Sequence, residues 1–243
     1  MTEKEWFSTW FDTSYYHVLY KHRNDEEATL FIENLTKLLN LPEEAKVLDL
    51  ACGKGRHSLM LHKSGLNVLG VDLSKNSIKS AQENTKSGLR FSVHDMREII
   101  PNESFAAIFN LFTSFGYFDS SAENERVIQA VHAMLDEKGI FVIDFMNARK
   151  IINNLVLSEE KFIDDIHFSI RRKWDKEHIY KFIDVVDGTE SHSFMERVQS
   201  LFLADFKKLL NGKFIIKNVF GDYQLNSFDE EESDRLIIIA ERI

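Results

Sequence analysis

The sequence predicts a doubly wound α/β protein: a seven-stranded, mostly parallel sheet carrying an antiparallel β insertion after its fifth strand. Three observations predict it. From Lys46 to Asp144, short apolar runs alternate with amphipathic helical stretches, a pattern that requires right-handed crossovers and parallel pairing. Between Ile166 and Phe202 the helices give way to consecutive β runs around Asp187-Gly188, a strong hairpin signal. The chain then returns with a helix near Leu203–Leu210, a strand over Lys213–Phe220 and a last strand over Leu236–Ala240.

Taken in order, Asn24 or Asp25 caps a helix whose apolar face is Ala28, Phe31, Ile32, Leu35, Leu38 and Leu39, stopped near Pro42. Lys46–Leu50 is a buried strand, Arg56–Ser64 a short helix ended by Gly65, and Asn67–Val71 the second strand. Ser74 or Ser77 opens a helix that closes before Gly88; Leu89–Val93 and Phe105–Leu111 are strands three and four. Ser121 caps a helix with Val127, Ile128, Val131, Met134 and Leu135 on one face, ended by Gly139, and Ile140–Asp144 is strand five. Three β runs follow: Ile166–Trp174, Ile179–Val186 and Phe194–Phe202. The expected organisation is a helical segment and main sheet over 1–157, the β insertion as substrate cap or dimer element over 158–202, and the return to the sheet over 203–243.

A chain of 243 residues with 44% hydrophobic content can bury one large core, and no low-complexity segment argues for disorder. The net charge of −9 opposes a surface that neutralises phosphates, so nucleic acid is not the expected partner. A single cysteine, Cys52, rules out an internal disulfide and suits a reducing compartment. The first residues lack the apolar core of a secretion signal, and no apolar run approaches ~20 residues. A soluble cytoplasmic protein, with a homodimer as one possibility, is the expectation. No His, Cys or carboxylate cluster has ligand spacing, which predicts no metal.

The stretch KVLDLACGKGRHSLMLHKSGLNVLGVDLS, Lys46 to Ser74, carries the chemistry. It ends a strand in Asp49, turns through Gly53-x-Gly55, and ends the next strand in Asp72. A glycine turn lets backbone approach a ligand. Dinucleotide sites add a third glycine three residues on; here Arg56, His57 and Ser58 follow instead. Asp49 would repel a pyrophosphate but could hold an ammonium. The pattern therefore favours a ligand with a cationic end and no phosphates, and it disfavours an NAD-dependent oxidoreductase.

On these residues the sequence resembles the class I S-adenosylmethionine-dependent methyltransferases, a Rossmann-like family. Asp49-x-Ala51-x-Gly53-x-Gly55 matches their first motif, with Ala51 where glycine is commoner. The resemblance implies that Asp72 takes the ribose hydroxyls, beside Leu73, and that in His94-Asp95-Met96 the acid accepts from the adenine amino group while Met96 packs on the ring. Asp49, Asp72 and Asp95 are spaced 23 residues apart, one strand–helix unit each, which returns all three to one sheet edge. Ala51, Cys52, Gly53, Gly55, Asn110 and Phe112 complete the implied cofactor set, and S-adenosylmethionine is the implied cofactor, leaving as S-adenosylhomocysteine. The likeness covers roughly Val47–Asp144 and the final strand pair.

After strand four, where substrate and methyl group meet in the family, FNLFTSFGYF lacks the Pro-Pro-aromatic signature of base methyltransferases. With Tyr16-x-x-x-Tyr20-x-x-Arg23 and the β insertion, the chain looks like the small-molecule N-methyltransferases, including those acting on aminosugars. In that group the N-terminal tyrosines and arginine close over cofactor and substrate, so Tyr20 and Arg23 join the implied cofactor set. About half of Phe109, Phe112, Phe115 and Phe118 should face the site. Phe115, Tyr117 and Asp144 are the implied acceptor contacts. Methyl transfer needs collinear positioning first, and a base only for a protonated or hydroxyl acceptor. Tyr16, His17, Tyr117 and Asp144 are the candidates for that base, and the sequence leaves all four open. A non-catalytic binding module is the remaining alternative reading.

Overall fold

The structure is a computed structural model and describes residues 9–21 and 25–243. Arg23 and Asn24, named above as a cofactor contact and a helix cap, lie outside the described residues.

Strands β1 (Lys46–Leu50), β2 (Asn67–Asp72), β3 (Leu89–Val93), β4 (Phe105–Asn110) and β5 (Leu135–Met146) pair in parallel, β4 lying between β1 and β5. β10 (Phe214–Phe220) and β11 (Arg235–Arg242) add an antiparallel edge, giving the order β10-β11-β5-β4-β1-β2-β3. The order reverses direction between β1 and β4, the point where open α/β sheets bind ligands outside the strands' carboxyl ends. Helix α2 (Asp25–Leu39) precedes β1, while α3 (Arg56–Lys63), α4 (Lys75–Gln82) and α5 (Ser121–Met134) connect β1 to β2, β2 to β3 and β4 to β5.

Each inner strand is buried on both faces, so its side chains feed two cores. Leu48, Leu50, Ile108 and Ile143 pack on one side; Val47, Ala107, Phe109 and Val142 pack on the other. Ser74 Oγ accepts from Ser77 N at 3.0 Å to start α4, and Ser120 with Glu123 forms a capping box for α5. The first cap is the serine the sequence offered; the second falls one residue earlier than the expected Ser121, which is itself the first helical residue.

Two elements differ from expectation. Helix α5 stops at Met134 and not at Gly139, because Leu135 is already extended and pairs with Phe105, lengthening β5 backwards. The insertion has four strands, not three: β6 (Ser158–Ile163), β7 (Ile166–Trp174), β8 (His178–Asp187) and β9 (Glu190–Gln199), all antiparallel. Strand β6, reading SEEKFI, is an edge strand with charge on both faces; such edges carry little hydrophobic alternation. A short helix α6 (Ala148–Asn153) precedes it, and α7 (Leu203–Leu210) follows the insertion.

The segment Trp10–Lys21, with helix α1 (Ser14–Leu19), straps the insertion sheet to the edge of the main sheet. Trp10 and Leu19 are buried against Phe168, Ile170, Ile183 and Val185 of the insertion. Trp10 Nε1 donates to Glu196 at 2.7 Å, and Tyr20 donates its hydroxyl to the same carboxylate at 2.7 Å. At the other end Ser74 Oγ donates to Asp12. Apolar burial and hydrogen bonds at both ends thus hold one short segment across the carboxyl ends of β2 and the inner face of β9.

Candidate active site

The turn after β1 places Ala51, Gly53 and Gly55 at φ of +66°, +56° and +81°. Gly55 has no alternative: a Cβ there would meet the Phe91 ring at 2.5 Å. The absent third glycine has a physical account. Ser58 stands in its place and donates to Asp49 at 2.5 Å. Gly70 on β2 supplies the missing room, since a Cβ there would lie 2.8 Å from the Ser58 hydroxyl. Ala51 bears a side chain in the left-handed region, which costs about 1–2 kcal/mol. Ala51→Gly removes that strain against a glycine entropy cost of roughly 0.5–1 kcal/mol. Urea unfolding should show the variant more stable by up to about 1 kcal/mol, and a less stable variant would contradict the strain reading.

The turn, the ends of β2, β3 and β4, the strap and β9 enclose a cavity of about 640 Å³. Asp72 lines it, and its carboxylate accepts from Gly53 N and Ser74 N, each at 2.8 Å. Burial pushes Asp72 up and those two N–H groups pull it back, leaving it above the usual carboxylate range. Asp95 and Met96 line the cavity beyond it. Asp95 is gripped by its neighbour: Arg97 donates from N and Nε to Oδ1 and from Nη2 to Oδ2, at 2.6–3.0 Å. Burial raises Asp95, but the Arg97 bonds outweigh it and hold the acid below its ordinary value. Leu73, Ala51, Cys52, Gly53 and Phe112 also line the cavity, as do Tyr16, His17 and Tyr20 from the strap, with Tyr117 after β4. Phe11, which the sequence did not single out, joins Tyr16 and Tyr117 with ring centroids 4.9 and 5.4 Å away.

Several expected site residues do not reach the cavity. Asp49 is 1% exposed and engaged by Ser58, so it offers no contact to a ligand. Gly55 does not line the cavity and serves the packing against Phe91. Asn110 is fully buried and donates to the Leu50 carbonyl at 3.0 Å, tying β4 to β1. Phe115 is core, not acceptor contact: it is fully buried against Phe206, 5.6 Å between centroids. Phe109 is equally buried, leaving Phe112 and Phe118 as the cavity-lining pair of the four.

Asp144 is likewise sequestered. Its Oδ1 accepts from Arg235 Nε at 2.7 Å, and its Oδ2 accepts from Phe112 N at 2.9 Å and Tyr223 at 3.2 Å. This ion pair braces a strained loop, since Phe112 and Thr113 both adopt positive φ, +63° and +59°. Arg235 Nη2 also donates to Thr113 Oγ1 at 3.0 Å. Arg235 and Glu196, both cavity-lining, escaped the sequence reading. Glu196 left one signal, a carboxylate in apolar register between Phe194 and Val198. Among the described residues no group of three or more His, Cys or carboxylate side chains could hold a metal, and no helix is long and apolar enough to cross a membrane.

Comparison with known proteins assigns this architecture to a class. The chain belongs to the methyltransferase domain family, whose model matches residues 41–196. It is an S-adenosylmethionine-dependent methyltransferase. It is 31% identical over 154 residues to YqeM of Bacillus subtilis (strain 168), covering 62% of this chain and 60% of that one. Over 176 residues it is 26% identical to the glycine/sarcosine N-methyltransferase of Aphanothece halophytica, covering 65% of each. The matches thus span under two thirds of these two relatives. The fold is similar to S-adenosylmethionine-bound CalS10, an amino pentose methyltransferase from Micromonospora echinaspora: TM-score 0.70, 18% identity, 95% of this chain and 98% of that one.

Proposed function

We propose that this methyltransferase acts on a nitrogen of a small molecule. The observation that carries the reading is the strap: Tyr16, His17 and Tyr20 line the same cavity as the Ala51–Gly53 turn and Asp72, so the acceptor must fit beneath a covered space. Relatives and structural neighbours that methylate glycine, sarcosine and an amino pentose support nitrogen as the target.

The residues present fit the cofactor. Asp72 keeps acceptor lone pairs beyond those its two N–H donors use, suiting a pair of hydroxyls. Leu73 and Met96 give apolar walls for a ring, and Asp95 keeps one acceptor position beside its Arg97 bonds. The Ala51–Gly53 turn and Tyr20 bound the methionine end. When bound, S-adenosylmethionine supplies a methyl carbon whose bond to sulfur breaks as the acceptor nitrogen bonds to it.

The protein's share is to hold the nucleophile in line, exclude water and take a proton. His17 suits the last task. Burial lowers its pKa below 6.5 and Lys54 adds to the effect against Asp12, so the imidazole is neutral at pH 7 and accepts a proton from an ammonium. Tyr16 and Tyr117 position the nitrogen. With an amine acceptor of pKa above 9, log kcat/KM should stay level between His17's pKa and the amine's, and fall with unit slope below His17's pKa. His17→Asn, which must await the free amine, should instead rise with unit slope all the way toward the amine's pKa; an unchanged profile would dismiss His17 as the base.

The direct test is an acceptor panel of amines, alcohols and carboxylic acids, read as S-adenosylhomocysteine release. Turnover confined to alcohols or acids would overturn the nitrogen reading.

A further inference from the structure

Strand β9 ends the insertion beside the cavity, and its two faces grip different walls of it. Glu196 and Val198 line the cavity from one face, while Arg197 and Gln199 alternate with them on the other. Resting on the small-molecule reading above, we propose that Glu196 and Gln199 are positioning residues of the reaction, holding the two ends of an aromatic arch that shapes the space for the acceptor. The arch runs Tyr20, Tyr16, Phe11, Tyr117, with successive ring centroids 5.0, 4.9 and 5.4 Å apart. All four residues line the cavity, and their rings meet in the tilted and edge-on geometries that aromatic pairs prefer. Three come from the strap and the fourth from the loop after β4, so neither segment closes the arch alone.

One foot of the arch is Tyr20. Its hydroxyl donates to Glu196 at 2.7 Å, and Lys181 of β8 donates to that hydroxyl while lying 4.4 Å from the ring centroid. Trp10 donates to the same carboxylate, so Glu196 fastens the strap near both its ends. The other foot is the loop that carries Tyr117, gripped on either side of that residue. Gln199 N donates to the Gly116 carbonyl at 2.8 Å, and Gln199 Nε2 donates to the Phe118 carbonyl at 3.1 Å. A carbonyl can only accept, which fixes the Gln199 amide and turns its Oε1 to Asn124 Nδ2 of α5, 2.5 Å away. Gln199 and Asn124 are both buried, so these bonds form away from competing water. Arg197, on the same face of β9, adds an ion pair to Asp119. In-line transfer tolerates little misplacement, since an error of about 1 Å can cost on the order of a hundredfold in rate. With both feet on one strand, loosening either one slackens rings that the other holds.

Amide hydrogen exchange read by mass spectrometry, on the protein with and without S-adenosylhomocysteine, tests the arch from both feet. Gln199→Glu keeps the shape and the bond from Asn124 but cannot donate to Phe118; Glu196→Gln keeps one acceptor and loses the charge. Each should raise exchange roughly tenfold in the segment it holds, the value of one buried hydrogen bond. Each should also raise it at the far foot: Gln199→Glu over residues 10–21 and Glu196→Gln over residues 112–119. The positioning role is read with the fastest amine of the acceptor panel. In Gln199→Glu kcat should fall at least about tenfold, while S-adenosylhomocysteine affinity, which also reports a retained fold, stays at the parent's level. Glu159→Gln on β6 should match the parent throughout. Should Gln199→Glu fail to bind S-adenosylhomocysteine, Glu196→Gln carries both readouts. Exchange that rises in the altered residue's own segment and nowhere else, or kcat unchanged in both variants, would overturn the proposal. A parent that turns over no amine fails the nitrogen reading instead, and the exchange result still decides the arch.

Discussion

Asp72→Ala should weaken S-adenosylhomocysteine binding at least about a hundredfold. The carboxylate has two duties that fail together. It offers the cavity an acceptor for hydroxyls, where two charge-assisted bonds are worth roughly 1.5–3 kcal/mol each. It also satisfies Gly53 N and Ser74 N at 2.8 Å, fastening the glycine turn to the start of α4. Alanine leaves both N–H groups without a partner beside a cavity that must admit a ligand. Asp72→Asn is the sharper probe, because the amide can accept from one N–H while its NH₂ faces the other donor. Calorimetry should rank the parent above Asn and Asn above Ala. Parent-like affinity in Asp72→Ala would remove the acid from the cofactor site.

The reasons that made Asp72 legible explain what was not. The end of a strand fixes where a side chain emerges, so Asp72, Asp95 and the Ala51–Gly53 turn could be assigned to one edge from spacing alone. Spacing does not say which way a terminal side chain turns. Asp49 pairs with Gly70, two residues short of Asp72, and turns to Ser58, because Gly70 opens room for that serine behind the turn. Asp144 was expected to meet the acceptor, but the pairing of β11 with β5 brings Arg235 against it, and that contact spans 91 residues. The phenylalanine run after β4 reads as uniformly apolar; only the positive φ at Phe112 and Thr113 determines that Phe112 reaches the cavity while Phe115 enters the core. The edge strand β6 left only Phe162 and Ile163 after three charged residues, with no apolar alternation to mark it, and Glu196 gained its place only once the strap crossed the insertion.

Asp49→Asn should stabilise the protein at alkaline pH and fail to do so in acid. Burial pushes Asp49 up from its ordinary 3.8 to about 7, the Ser58 hydrogen bond opposing and the nearby Asp72 charge adding to the rise. The folded state therefore keeps a proton that the unfolded chain releases above pH 4. Folded protein binds more protons than unfolded between about pH 4 and pH 7, so this group's contribution to stability falls as pH rises through that window. Three pH units correspond to roughly 4 kcal/mol, an upper value because the turn can relax. Asparagine carries no charge at any pH in the window and can still accept from Ser58, but its buried NH₂ costs about 1–3 kcal/mol if it finds no acceptor. The difference in unfolding free energy between variant and parent should therefore shift toward the variant by a few kcal/mol from pH 5 to pH 8. Urea unfolding at the two pH values measures it. A difference that stays constant with pH would mean that Asp49 titrates as an ordinary carboxylate. The same desolvation makes Asp49 responsive to charge nearby. A cation arriving in the cavity favours its ionised form, so cofactor binding near pH 7 should release a fraction of a proton, seen as a binding enthalpy that changes with the buffer's ionisation heat in the parent and not in Asp49→Asn.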